Sequence, residues 1–514
     1  MEVPEIRLYV GNLLASKDLR ACALVCRAWH REFQPLVWRN FTVHLSNTDS
    51  SSQVESVRNN VRWIRNLDLR EWNPTLSTTS LLYDILATEC RSLVSLDVKL
   101  NRPIQWNQCQ ILLRHNKDTL RCITITQGEW SGPNDQQLVD TMDDLKSLEV
   151  LAFIRFSPSI SALLCVVASM PFLRTVYCGV YKKKSGTYGK ALGPNLIHPW
   201  LSSTLPTMDG PFASLKKFSL QGPCHDPVLV TLFRRCPLLV HLQLSEVADE
   251  ICEGLCELLR GGHFPHLRSV QLLDPFHSPF HTRSILSSFP SHQLTTVKLY
   301  HPSMMTVHVL VEHHHQTLQD VDIEVARYDE GSIIELLSRC PQLLYLRFFV
   351  KGVGVDVRHA IARPWACTKL EELKVGFSLD EDCQDEELLD MASEEKEAVS
   401  GPDREEHDEA LTVFMMRLGQ LTQLREVDFY PVGYVGPLYA SEILPLSMAN
   451  GFAHLDQWTR LERLSFGPIH VLPLGIPELQ FMRQHWTSLK ILSSACILSE
   501  ESEWLSEHWP ELKT

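Results

Sequence analysis

A leucine followed by apolar residues three and five positions later recurs along most of this chain, first at Ile64 and then at Leu93, Leu120, Leu148 and Leu173. The same spacing returns at Leu215, Leu239, Leu267, Leu294, Leu318, Leu343, Leu370, Leu424, Leu461 and Leu489, with a truncated copy at Leu512. Most steps are 23 to 29 residues long. The apolar residues at +3 and +5 are two apart, as in Leu242 and Leu244 or Leu346 and Phe348, so a strand places both on one buried face. Each segment therefore predicts a short strand.

Between strands the apolar spacing changes to that of a helix face, as in Leu82, Ile85, Leu86 and Cys90, or Leu229, Phe233 and Cys236. A single strand-plus-helix unit cannot cover its own apolar face, whereas a stack buries a continuous core between an inner parallel sheet and outer helices. The expected fold is an α/β horseshoe solenoid. Three residues before the anchor leucine stand Cys90, Cys236, Cys340 and Cys367, then Trp458, Trp486 and Trp509, all expected in the core. This layout resembles the cysteine-containing leucine-rich repeats.

Two steps are too long for one repeat, and their composition is that of insertions, expected at about 179–211 and 379–410. Residues 379–410 hold 15 acidic and 2 basic residues, nearly the whole of the net charge of −14. The only basic cluster is Lys182-Lys183-Lys184, so a nucleic-acid partner is not expected. The 514 residues are 44% apolar, but no uninterrupted run is long enough to span a bilayer, Leu163 to Ala168 being typical. The opening residues carry no export pattern, and the 15 cysteines are odd in number and scattered. Reduced thiols in the cytoplasm, the nucleus or both are the expectation.

Before the repeats, residues 1–45 follow a different rule. Ile6, Val10 and Leu14 make one helical stripe, Asp18 is placed to cap the next helix, and Leu19, Cys22, Val25, Cys26 and Trp29 make a second. Phe33, Leu36, Val37 and Trp38 follow, and 46–60 reads as a linker to a solenoid over 61–514. The order Val3-Pro4-Glu5-Ile6, Asp18-Leu19, Leu24-Val25-Cys26-Arg27-Ala28-Trp29, Leu36-Val37-Trp38-Arg39 resembles the F-box. Val3 stands where leucine is usual, and the link from Pro4 to Ile6 is one residue shorter than the commonest form.

The resemblance to F-box proteins with leucine-rich repeats implies docking on a Skp-type adaptor, which links such proteins to a cullin in an SCF-type ubiquitin ligase. By that resemblance Pro4, Ile6, Leu14, Leu19, Val25, Cys26, Trp29, Leu36 and Trp38 are adaptor contacts. The implied role is recruitment of a protein substrate without enzymatic activity. The alternative is a leucine-rich-repeat scaffold with no part in ubiquitination.

The outward strand positions +2, +4 and +6 are small or polar in early units, as at Ser95, Asp97, Thr124 and Thr126. Later they include Lys298, Tyr300, Tyr345, Arg347, Phe349, Lys374 and Tyr430, residue types that dominate binding surfaces, and this set is the expected substrate face. No catalytic, cofactor or metal residues are expected. Gly186 to Lys190 lacks the spacing and the Ser or Thr of a phosphate loop, and His313-His314-His315 reads as a solvated helix end.

Overall fold

The computed structural model describes residues 4–43, 51–70, 77–128, 132–156, 158–179, 210–222, 224–246, 248–273, 279–325, 330–350, 354–378, 403–429, 446–466, 474–493 and 499–513. Tyr430, the Gly186–Lys190 turn and all of the two expected insertions except 179, 210–211, and 403–410 lie outside them. The chain forms two compact units, one of residues 1–255 with 263–266, the other of 256–262 with 267–514.

The first unit opens with three helices, α1 (Pro4–Leu13), α2 (Ser16–Ala23) and α3 (Arg27–Arg39). Leu19, Ala23 and Phe33 are buried between them, and Leu14, Cys22, Trp29, Leu36 and Val37 pack against that centre. Gly11 is required here, because a Cβ at that position would lie 2.5 Å from Leu36 Cδ1 and 2.7 Å from Phe33. Asp18 does not cap α2. The cap position is Ala15, and Asp18 sits inside the first turn, where its carboxylate favours the positive end of the helix dipole.

Where a linker was expected, Ser51–Asn60 is a helix, α4. Val54 and Val57 are buried three apart, followed by Val61, so this segment already belongs to the repeat core. Gln34 on α3 donates to the buried Asn60 at 2.6 Å, tying the helical module to the first repeat.

Eight parallel strands follow in chain order in this unit: β1 (Asn40–Thr42), β2 (Asn66–Leu69), β3 (Ser95–Leu100), β4 (Cys122–Gln127), β5 (Val150–Ile154), β6 (Thr175–Gly179), β7 (Lys217–Gln221) and β8 (His241–Leu244). The predicted period is kept in register, with Ser95, Cys122, Val150, Thr175, Lys217 and His241 as neighbours across successive strands. β1 had no repeat signal of its own.

The second unit repeats the scheme with β9 (Ser269–Leu272), β10 (Thr296–Tyr300), β11 (Asp320–Val325), β12 (Tyr345–Val350), β14 (Glu372–Val375), β16 (Glu426–Asp428), β17 (Arg463–Ser465) and β18 (Ile491–Ser493). β13 (Val355–Asp356) and β15 (Phe377–Ser378) form a separate small sheet. The truncated last copy is present too, Lys513 bridging to Ile491. Residues 403–410, expected in the acidic insertion, begin the helix Asp403–Gly419, whose Leu411, Phe414, Met415 and Leu418 are fully buried.

The chain is thus built as a leucine-rich-repeat solenoid, with each anchor leucine buried and strands such as β2, β3, β5, β8 and β10 alternating buried and half-exposed residues. Cys90, Cys236, Cys340 and Cys367 are fully buried, as are Trp458 and Trp486. A tryptophan at this position needs a partner for its N–H, and carbonyls supply one: Trp458 donates to Leu418 at 3.0 Å and Trp486 to Leu455 at 2.8 Å. Among the described residues no helix is long and apolar enough to cross a membrane.

Candidate functional site

Two surfaces carry the residues singled out by sequence. On the helical module, Arg7, Val10, Gly11 and Leu14 turn α1 inward, leaving Ile6, Tyr9 and Leu13 outside at helical spacing. Tyr9 and Leu13 are 69% and 71% exposed, and Leu24 and Val25, between α2 and α3, 83% and 65%. Beside them Leu24, Cys26, His30 and Arg31 contribute to a shallow depression of about 540 Å³.

The nine expected adaptor contacts divide. Ile6, Val25 and Cys26 are exposed; Leu19 is buried, and Leu14, Trp29 and Leu36 are half-buried against the module's own core. Trp38 is half-buried and stacks on Phe41 with ring centroids 5.7 Å apart, and the side chain of Pro4 lies outside the described residues. Tyr9, Leu13 and Leu24, outside the expected set, are exposed as well, and the spacing of Tyr9 and Leu13 against the inward stripe of α1 marks them as its opposite face.

On the second unit, Lys298, Tyr300, Tyr345, Arg347, Phe349 and Lys374 are all half-buried on the solvent side of their strands. Parallel register aligns Lys298, Asp322, Arg347, Lys374 and Asp428 in one row, and Thr296, Asp320, Tyr345, Glu372, Glu426 and Arg463 in the next. Opposite charges then meet. Lys298 Nζ lies 2.6 Å from Asp322 Oδ2, Arg347 Nε 2.6 Å from Glu372 Oε1, and Lys374 Nζ 2.9 Å from Glu426 Oε1 and 3.1 Å from Glu372 Oε1.

Burial alone would raise the Glu372 carboxyl, but hydrogen bonds from Arg347 and Lys374 outweigh it and hold that group below its usual range. The cations of the expected substrate face are therefore neutralised by carboxylates that a scan for Tyr, Phe and Arg passes over. Lining the strands in register reveals the alternation. Tyr345, Glu372, Arg425, Glu426, Arg463 and Lys490 border a depression of about 420 Å³ on this face.

No protein-family profile and no curated protein matches the chain. Among solved structures, it is similar to the leucine-rich repeat-containing protein LegL7 from Legionella pneumophila, at 17% identity and TM-score 0.36, covering 60% of this chain and 90% of that one. It is also similar to a chain of the Rad7 and Elc1 complex in yeast, at 13% identity and TM-score 0.39, covering 74% of this chain and 91% of that one.

Burial pushes the thiols of Cys109, Cys178, Cys236, Cys340 and Cys367 up to about 12 and that of Cys90 to about 11, which keeps them protonated and poor nucleophiles at neutral pH. Among the described residues no group of three or more His, Cys, Asp and Glu is placed to hold a metal ion. The histidine run is not a solvated helix end throughout. His314 is fully buried, falling on the stripe of Val307, Leu310 and Val311, and burial pushes its ring down to about 4.

Proposed function

We propose that this chain is a substrate-recruiting F-box subunit of an SCF-type ubiquitin ligase. The helical module docks a Skp-type adaptor, the adaptor joins it to a cullin, and the strand face of the second unit captures a protein substrate. The chain itself transfers nothing: holding a substrate near the conjugating enzyme raises the effective concentration of its lysines.

The family's residue order, from Pro4 and Ile6 through Asp18-Leu19 and Val25-Cys26 to Trp38, falls on a three-helix module. The outside of that module keeps Ile6, Tyr9, Leu13, Leu24 and Val25 uncovered, and this coincidence is what supports adaptor docking. A capping module that merely sealed the repeats would gain nothing by exposing such side chains.

The test is affinity purification of the full chain from cells with cullin activation blocked. Recovery of a Skp adaptor and a cullin, together with a protein that accumulates under the block, is expected. Recovery of partners with no adaptor among them would favour a scaffold instead.

A further inference from the structure

On the second unit every cation of the central row is neutralised, while two carboxylates of the same face are not. Asp320 and Glu324 stand two residues either side of the buried Asp322 on β11, both half-buried, and neither carboxylate has a hydrogen bond or ion pair among the described residues, although Asp320 feels the charges of Arg347 and Lys298. Glu324 is in register with Tyr300 on one side and Phe349 on the other. Asp320 lies between Thr296 and Tyr345.

An incoming carboxylate would have to compete with Asp322, Glu372 and Glu426 for Lys298, Arg347 and Lys374. An incoming cation meets the Glu324 carboxylate in register with Tyr300 and Phe349, where charge attraction and the electron-rich face of a ring act together; Lys298 Nζ already lies 5.8 Å from the Tyr300 ring centroid, so Phe349 offers the unclaimed ring. The two open positions are four strand residues apart, about 13 Å at the rise of a strand. An extended peptide running along β11 presents its own residues i and i+4 on one side at the same spacing.

The geometry points to an extended protein segment with basic residues at i and i+4 as the occupant of this face, one over Glu324 between Tyr300 and Phe349, the other over Asp320 beside Tyr345. This deepens the recruitment reading, on which it rests, by assigning the substrate's chemistry. The same logic turns away nucleic acid, whose phosphates would face the two unpaired carboxylates.

The probes are labelled eight-residue peptides of Ser and Thr carrying two arginines four apart, two arginines three apart, or two glutamates four apart. Anisotropy titrations on the full chain at low salt should show the first binding about tenfold tighter than the glutamate peptide and at least about threefold tighter than the three-apart peptide. Glu324→Gln should weaken it about fivefold, with Glu503→Gln, an exposed carboxylate elsewhere in the chain, unchanged.

Equal binding of the glutamate peptide would overturn the inference; indifference to both spacing and Glu324→Gln would overturn it too and assign the attraction for arginine to the acidic 379–410 stretch. Adaptor capture is measured on the same preparations. Lost peptide selectivity with adaptor capture intact sinks this inference alone, whereas lost adaptor capture with selectivity intact counts against the ligase role.

Discussion

Arg7 on α1 reaches Glu32 on α3 with its Nη1 3.0 Å and 3.1 Å from the two carboxylate oxygens, in a pair whose side chains are only 10% and 20% exposed. It is a polar clamp across a small apolar core. Removing one partner leaves the other charge poorly solvated, so Glu32→Ala should cost about 2–3 kcal/mol, near the lower end for buried pairs. Arg7→Met with Glu32→Leu should recover most of that loss, since an apolar pair of similar volume carries no desolvation cost. Hydrogen exchange at α1 amides checks both, and a Glu32→Ala module protected like the wild type would show the pair to be idle.

Asn116 organises the loop between two repeats in the first unit. Its side chain accepts from Leu93 N at 2.8 Å and donates to the carbonyls of Cys90 at 2.9 Å and Leu112 at 2.8 Å, all in the interior. Asn116→Ala orphans a buried N–H and the Cys90 carbonyl, while the Leu112 carbonyl keeps the backbone N–H of residue 116, and should cost about 2–4 kcal/mol in urea unfolding. A cost under about 1 kcal/mol would mean that water replaces the amide.

Asp97 gives the first unit a pH dependence of definite sign. Burial pushes its carboxyl up to about 6, opposed by Arg70 and reinforced by Asp68, its neighbour across the sheet. The folded state thus holds the proton more tightly than the unfolded chain, whose value is about 3.9, and stability from this group rises as pH falls from about 6 to about 4. Asp97→Asn resembles the protonated acid. It should raise the melting temperature at pH 7.5 and lose that advantage near pH 4; a variant less stable than wild type at pH 7.5 would contradict this.

The repeat was readable because a two-residue strand alternation and a helical spacing leave unmistakable, alternating marks. All fifteen anchors from Ile64 to Leu489 precede a strand of the solenoid. β1 escaped notice because three residues carry too little pattern, and α4 because Val54 and Val57 sit among polar residues. The exposed face of the helical module was half legible: residue order locates the module, but which of its apolar residues turn outward depends on how α1 crosses α3 over Gly11. On the strand face, residue type picked out Arg347 and Lys374 as part of the expected substrate face. Only cross-strand register, which sets Arg347 beside Lys374 and brings both within ion-pair reach of Glu372 in the neighbouring row, shows their charges already met.

Adaptor binding by the outward face of the helical module is the central claim, and calorimetric titration of a purified Skp adaptor into the full chain tests it most directly. Tyr9→Ala with Leu24→Ala removes two exposed side chains and no core contact. The double variant should melt within about 1 °C of wild type and bind the adaptor at least about tenfold more weakly, as expected when interface anchors are truncated. A folded wild-type chain that gives no heat with the adaptor, or a double variant that binds it with unchanged affinity, would contradict the account.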